Sequence, residues 1–452
     1  MLGAKKYLIT CLIGCWPYLL YSQQSTDSTL QQATLERCVQ YALQHQPVIK
    51  QSEIDQQIAE RSIRSALSAW LPQISGAYNL NHYLKLPVSL FPNFNNPTSP
   101  ERVPVTVGVA NQSNIQFTLS QNIFNRDVLL ASRTANTYRL QARQNLVDNQ
   151  IDVTVNVSKA FYDLILTQKQ VDILNGDIAR LERSLQDATN QYQSGLVDRT
   201  DYKRAAIALN NSRAQRKQAQ EQVNGKSQYL KQLMGYPPAA DLQLTYDTLQ
   251  LANEVYLDTN QFVRPESRIE YQLLRTQQDL LKANITYNRW AYLPTVSASA
   301  NYNFVYQNNE FAKLYSRNFP TSLVGLTIAL PIFQGGRRVQ EIRIAELQLQ
   351  RSQWDLTNLS NVVNTEYQQA LANYKGNLAN YRALQENLDL ANDVYRVIQL
   401  QYRSGVRAYL DVIIAQNDLR TTQLTYFNAL YQVLVSKLDV QRALGTVPIS
   451  QP

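Results

Sequence analysis

The sequence predicts a mainly α-helical chain with a β-barrel part, built from one unit used twice. Three observations predict it. Tyr192-Gln193-Ser194-Gly195 recurs as Tyr402-Arg403-Ser404-Gly405, an offset of 210 (405 − 195). Two long stretches, Pro104 to Pro237 and Pro331 to Pro448, hold no internal proline. Four segments of about ten residues alternate polar with apolar side chains, the period of a strand with two unlike faces.

Other markers keep the same order in both halves. Leu233-Met234-Gly235 answers Ala443-Leu444-Gly445 near the same offset, and Ile123-Phe124 answers Ile332-Phe333 at 209. Trp70-Leu71-Pro72 answers Tyr292-Leu293-Pro294 at 222. The slip falls in a loop that carries Pro87, Pro92, Pro97, Pro100 and Pro104, expected to face solvent and so to tolerate insertion. One structural unit has been duplicated and fused. The division expected is 23–240 and 265–445 for the two repeats, 241–264 for a connecting segment and 446–452 for a tail.

Residues 1–22 read as an export signal: Lys5 and Lys6 precede an apolar run from Tyr7 to Tyr21,. Cleavage after Ser22 is expected. Leu12-Ile13-Gly14-Cys15 offers lipoprotein processing as the alternative. Either way Cys38 is left as a single thiol, read as a buried small apolar residue. The formal charge of +8 is spread rather than concentrated in a stripe, which argues against nucleic acid. No later stretch is long and apolar enough for a membrane helix.

A helix is expected from about Pro47 to Ala69. In the first strand pair Ile74, Gly76, Tyr78 and Leu80 alternate with Ser75, Ala77 and Asn79, then Ile115, Phe117 and Leu119 with Gln116, Thr118 and Ser120. A helix from Asn125 to Ser194 follows, about 100 Å long at 1.5 Å per residue. Its seam is Val171, Leu174, Ile178, Leu181, Leu185, Ala188 and Tyr192, spaced by three and four as in a coiled coil,. Gly195 turns the chain into a shorter helix, Asp198 to Met234. The second unit repeats this with a helix Pro265 to Ala291 and strands holding Val296 to Phe304 and Val324 to Leu330. A helix Gly336 to Ser404, a turn at Gly405 and a helix Ala408 to Leu444 complete it. The seam shifted by 210 reads Tyr381, Leu384, Leu388, Ala391, Tyr395, Ile398 and Tyr402. Two short helices laid end to end match one long helix, so each half is expected to form paired antiparallel rods.

Four bilayer-length strands cannot close a barrel, because single-chain barrels start at about eight strands. Open edges are not tolerated in lipid. Strands must therefore be shared between copies: two chains supply eight and three supply twelve.

Catalytic chemistry is not expected. His45 and His82 are the only histidines, too few for a triad or a zinc site. Gly335-Gly336 is a turn into a helix and no phosphate loop is present, so the chain reads as neither an enzyme nor a cofactor binder.

The opening Thr34-Leu35-Glu36 to Pro47, Leu71-Pro72 and Leu293-Pro294 carry a family resemblance. So do Pro331-Ile332-Phe333-Gln334-Gly335-Gly336, Tyr402-Arg403-Ser404-Gly405 with Asp411-Val412, and Ala443-Leu444-Gly445. In their order and duplication these segments resemble the TolC-type outer-membrane efflux protein family across nearly the whole chain after the leader. The resemblance implies a homotrimer with a twelve-stranded barrel in the outer membrane of a Gram-negative bacterium. It also implies an α-helical periplasmic tunnel that joins a periplasmic adaptor and an inner-membrane pump, with outer-membrane lipid as surroundings. Both glycine turns then fall at the periplasmic tip. Tyr192, Ser194, Gly195, Tyr402, Ser404 and Gly405 become the expected docking residues. Asp389 and Asp393, near the tip, become candidates for an acidic entrance gate, crowded by Arg396, Arg403 and Arg407. Small-molecule efflux is preferred over type I protein secretion. An exported coiled-coil structural protein without a pore is the reading from another class, and the four amphipathic strands argue against it.

Overall fold

The computed structural model describes residues 32–93, 100, 102–195 and 198–448. The expected leader, including Cys15, and the last residues of the tail lie outside these. Helix α1 (Leu35–His45) starts at Thr34, whose side chain accepts from the Arg37 N–H. Helix α2 (Pro47–Leu67) begins on a proline whose missing N–H costs nothing there,. Strands β1 (Gln73–His82), β2 (Val88–Pro92), β3 (Arg102–Thr106) and β4 (Asn111–Phe124) lead to α3 (Arg126–Gln193), of 68 residues. Helix α4 (Arg199–Met234) runs back, and α5 (Thr248–Asn253) lies in the connecting segment. Then come α6 (Ile269–Arg289), β5 (Thr295–Asn308), β6 (Thr321–Ala329), the 67-residue α7 (Arg337–Arg403) and α8 (Tyr409–Leu444).

The long helices run unbroken through Gly176 and Gly376, although a mid-helix glycine costs about 1 kcal/mol against alanine. Their length comes from packing along the rod, which outweighs that local penalty. Two expectations need correcting. The proline-bearing loop is not plain coil, since β2 and β3 pair within it from Val88↔Thr106 to Pro92↔Arg102. Strands β4 and β5 reach 14 residues each, longer than the ten or so that the alternation marks.

The main sheet has the order β1-β4-β5-β6, antiparallel throughout. Its register joins the apolar positions of four strands into one face: Ile74↔Leu119, Leu119↔Ala300 and Ala300↔Val324 form one row. The other face runs through Ala77↔Gln116, Gln116↔Asn303 and Asn303↔Thr321. A one-residue slip anywhere would send apolar side chains to the polar face, so the pattern itself holds the register. On the apolar face Ile74 is 77% exposed, Val324 83% and Leu326 61%. Such a face is not stable in water and calls for lipid or another apolar surface against it. Leu326→Arg, near the middle of β6, is expected to cost about 2–4 kcal/mol. The same change at Thr327 on the polar face should cost little, and heat denaturation of the detergent-extracted protein measures the contrast.

The main core sits at mid-rod, where α1, the middle of α3 and the ends of α4 and α8 meet residues 236–263. Of three tyrosines of α7 at seven-residue spacing, two clamp this connecting segment and the third meets α8. Tyr367 donates to Gln261 O (2.6 Å), and Tyr374 donates to Val255 O (2.8 Å) while accepting from Leu257 N (2.9 Å). Tyr381 meets the Tyr426 hydroxyl at 3.3 Å. Cys38 is fully buried in the same core, and burial pushes its thiol up to about 12. It is inert packing, as its reading as a small apolar residue requires.

Candidate functional site at the helix turns

Both expected tip turns form, and they form alike. At the end of α3 the Ser194 N–H and hydroxyl both donate to Asn190 O, at 3.0 and 2.9 Å. Gly195 then takes φ +73°. At the end of α7 Ser404 donates twice to Leu400 O, both at 3.1 Å, and Gly405 takes φ +75°. Serine closes the helix and glycine reverses it, because only glycine adopts that φ without strain. A Cβ on either glycine would meet nothing within 4 Å among the described residues. The turns are therefore open surfaces.

The two tyrosines of the repeated motif are used differently. Tyr402 reaches across to the other hairpin and donates to Gln191 Oε1 at 3.0 Å. Its ring lies 5.7 Å from that of Tyr409, which packs with Ala188 and Ala205 in a small core under the turns. Burial raises both hydroxyls above the ordinary tyrosine value, Tyr409 to about 12. They stay neutral, so this joint works by packing and hydrogen bonding. Tyr192 remains on its own hairpin, 40% exposed, with its ring 5.1 Å from Tyr202. Of the six residues read as a docking surface, Tyr402 is the one drawn inward.

Asp389, Asp393 and Arg396 lie on α7, exposed, and Asp393 pairs with Arg396 at 3.0 Å. Arg407 pairs with Asp411 at 3.6 Å and donates to Gln401 Oε1 at 3.3 Å. Within one chain Asp393, Arg396, Arg407 and Asp411 thus pair along their own hairpin.

One node was not read from the sequence. Asp177 of α3, 2% exposed, accepts from Ser212 Oγ of α4 (2.7 Å) and from Gln416 Nε2 of α8 (3.0 Å). Arg420 stands 3.6 Å from the same oxygen that Ser212 donates to, and itself donates to Ser212 Oγ at 2.9 Å. Arg180 approaches at 3.5 Å. Here the two hairpins are fastened below the tip. The only signal in the sequence was a carboxylate between seam positions Leu174 and Ile178. Among the described residues no group of histidine, cysteine or acidic side chains is arranged to hold a metal ion.

A sheet with one lipid-seeking face and two unpaired edges, standing on paired helical rods, defines a class: an outer-membrane channel with a periplasmic helical part. The sequence model described as outer membrane efflux protein matches residues 38–236 and 271–446, and the chain belongs to that family. Its place is the outer membrane of Gram-negative bacteria. The chain is 21% identical over 414 residues to the outer membrane protein TolC of Vibrio cholerae serotype O1, covering 90% of this chain and 89% of that protein. It is 24% identical over 452 residues to TolC of Escherichia coli K12, covering 95% and 86%. The crystal structure of the outer membrane protein VceC from Vibrio cholerae matches with a TM-score of 0.68 at 16% identity, over 91% of this chain and 96% of that one. At that identity the match speaks for the fold.

Proposed function

We propose that the chain is the passive exit duct of a tripartite efflux system, assembled as a homotrimer and gated at its periplasmic tip. The observation that carries this is the sheet: four strands with a continuous apolar face and open edges at β1 and β6. Unpaired backbone in lipid costs several kcal/mol per group, so β6 of one copy pairs with β1 of the next. Three copies close twelve strands around the polar face. The rods below then enclose a tunnel whose entrance is the ring of glycine turns. A periplasmic adaptor docks there through Tyr192, Ser194, Gly195, Ser404 and Gly405, with Tyr402 holding the two hairpins in register. An inner-membrane pump supplies the energy. The duplicated division into 23–240 and 265–445, with 241–264 between, belongs to this reading.

Reconstitution tests it. The detergent-extracted protein should run as a heat-modifiable trimer and conduct ions across a planar bilayer; a monomer that stays soluble without detergent would end the proposal. A deletion strain should lose resistance to small toxic molecules. If it loses only a secreted protein, the duct serves type I secretion instead. The double substitution Gly195→Val with Gly405→Val is expected to abolish efflux while the trimer still forms, since both turns are strained but nothing clashes,. Full efflux in that variant would remove the turns from the docking surface.

A further inference from the structure

The chain between β5 and β6 sends side chains to both faces of the sheet, at the end opposite the rods. Tyr315 goes to the apolar face. Its hydroxyl lies 2.8 Å from that of Tyr78 and 3.3 Å from Ser113 Oγ, and its ring 5.1 Å from that of Tyr306. These partners share a face with Ile115 and Phe304, because Tyr78 pairs with Ile115, Ser113 with Tyr306 and Ile115 with Phe304. Beyond Tyr315 the chain rejoins β5 and runs into β6. Tyr306 pairs with Asn318, the Phe319 N–H donates to Val305 O at 2.7 Å, and the ladder continues at Asn303↔Thr321. Side chains alternate along this stretch, so Phe319 stands on the polar face with Asn303 and Thr321. Arg317 is on that face too, its guanidinium 5.0 Å from the centre of the Phe319 ring. The pull of an aromatic face on a cation fixes it there.

The surroundings of Arg317 carry nothing to cancel it. Strands β1, β4, β5 and β6 hold no Asp, Glu, Lys or Arg on either face. Glu310, in the same loop, is paired with Lys313 at 2.7 Å. Arg317 itself is exposed and has no carboxylate partner among the described residues. The described charged residues of the loop between β1 and β4 are Lys85 and Arg102, of the same sign.

We propose that Arg317 and its counterparts in the other two copies form a cationic ring at the outer mouth of the barrel, which gathers anions and favours anionic solutes at the last stage of exit. The ring rests on the trimeric duct proposed above, in which the polar face lines the lumen. Twelve strands about 4.8 Å apart and tilted by about 40° close a barrel roughly 12 Å in radius. At 0.1 M salt the Debye length is about 10 Å, so three arginines standing in from the wall act across the whole opening. At 1 M it is about 3 Å, and the axis of the pore is screened from them. Phe319 is the positioning residue that keeps each guanidinium in the lumen, and the Tyr315 hydroxyl bonds hold the loop from the other face.

The test uses the purified heat-modifiable oligomer in a planar bilayer under a potassium chloride gradient, where the reversal potential gives the chloride-to-potassium permeability ratio. Near 0.1 M salt Arg317→Gln should lower that ratio about twofold, and near 1 M the difference should vanish. Arg317→Lys keeps the charge and should stay close to wild type. Phe319→Leu removes the ring but no charge and should fall between wild type and Arg317→Gln. Inorganic tripolyphosphate gives a second reading that needs no variant. At low salt it should block the wild-type channel about threefold more strongly from the barrel side than from the rod side. Equal ratios for wild type and Arg317→Gln in conducting trimers would overturn the ring and leave the duct standing. An equal loss in Arg317→Lys would do the same, since it would mark a structural role, and so would equal block from both sides. A wild-type oligomer that does not conduct would overturn the duct itself, and the ring with it.

Discussion

Asp177→Ala is expected to loosen the tip half of the rods by about 3–5 kcal/mol, the cost of breaking a buried charged network by removing one partner. The carboxylate is 2% exposed and bridges α3 to α4 and α8 through Ser212 and Gln416. Without it the Arg420 guanidinium, 16% exposed, keeps its charge and loses its counter-ion. Water entry relieves part of that penalty, so the lower end of the range applies if the helices part. Amide hydrogen exchange in α8 between Tyr409 and Arg420 should quicken by two to three orders of magnitude, since about 1.4 kcal/mol is tenfold. Exchange in the strands should not change. Asp177→Asn keeps one acceptor oxygen for Ser212 and should fall between. A change below about 1 kcal/mol for the alanine variant would mean that Ala188, Ala205 and Tyr409 alone hold the hairpins together.

Much of this architecture was legible because the signals that set it are local. Proline bars itself from helix interiors and glycine is rare there, so the absence of one and the near-absence of the other measured both rods, and the four turn glycines marked the ends. Alternation over ten residues named the lipid face before any pairing was known. What stayed hidden depends on distant partners. Asp177 meets Ser212 at a separation of 35 residues and Gln416 at 239. Tyr315 meets Tyr78 at 237. Nothing within a window of twenty residues distinguishes these side chains from others on a polar helix or loop. The row Tyr367, Tyr374 and Tyr381 is an intermediate case, since its seven-residue spacing was visible while its partners, backbone for the first two and Tyr426 for the third, were not.

The tip shows a further limit. The motif Tyr-x-Ser-Gly is the same at Tyr192 and Tyr402, and the local caps agree closely. The tyrosines diverge because the chain beyond them differs: Tyr202 lies under the first and Tyr409 under the second. Duplication preserved the turns and left each hairpin free to specialise its contacts.

Gly235→Ala and Gly445→Ala should each reduce assembly far more than Gly195→Ala or Gly405→Ala, although all four glycines have φ between +67° and +75°. Backbone strain is thus common to the set, worth about 1–2 kcal/mol for a side chain in the left-handed region. Surroundings separate them. A Cβ on Gly235 would stand 2.7 Å from His45 O and 3.0 Å from Gln46 Cα, and one on Gly445 would stand 2.9 Å from Ser267 O. These are backbone atoms and cannot rotate away. They belong to the junction between α1 and α2 and to the turn that starts α6, so each glycine seats the end of one short helix on the start of another. That contact makes two short helices equal one rod. Forcing it apart by even 0.5 Å would shift the upper helix against α3 or α7 along its length, adding the cost of overpacking, about 1–3 kcal/mol. A total of roughly 2–5 kcal/mol follows for the joint glycines against about 1–2 kcal/mol at the tip. The yield of heat-modifiable oligomer and its melting temperature read the difference directly. Equal losses at all four positions would show that the joints yield and that strain alone governs them. Unequal losses would place the joint glycines in rod assembly and leave the tip glycines, where space is open, to set the shape of the entrance.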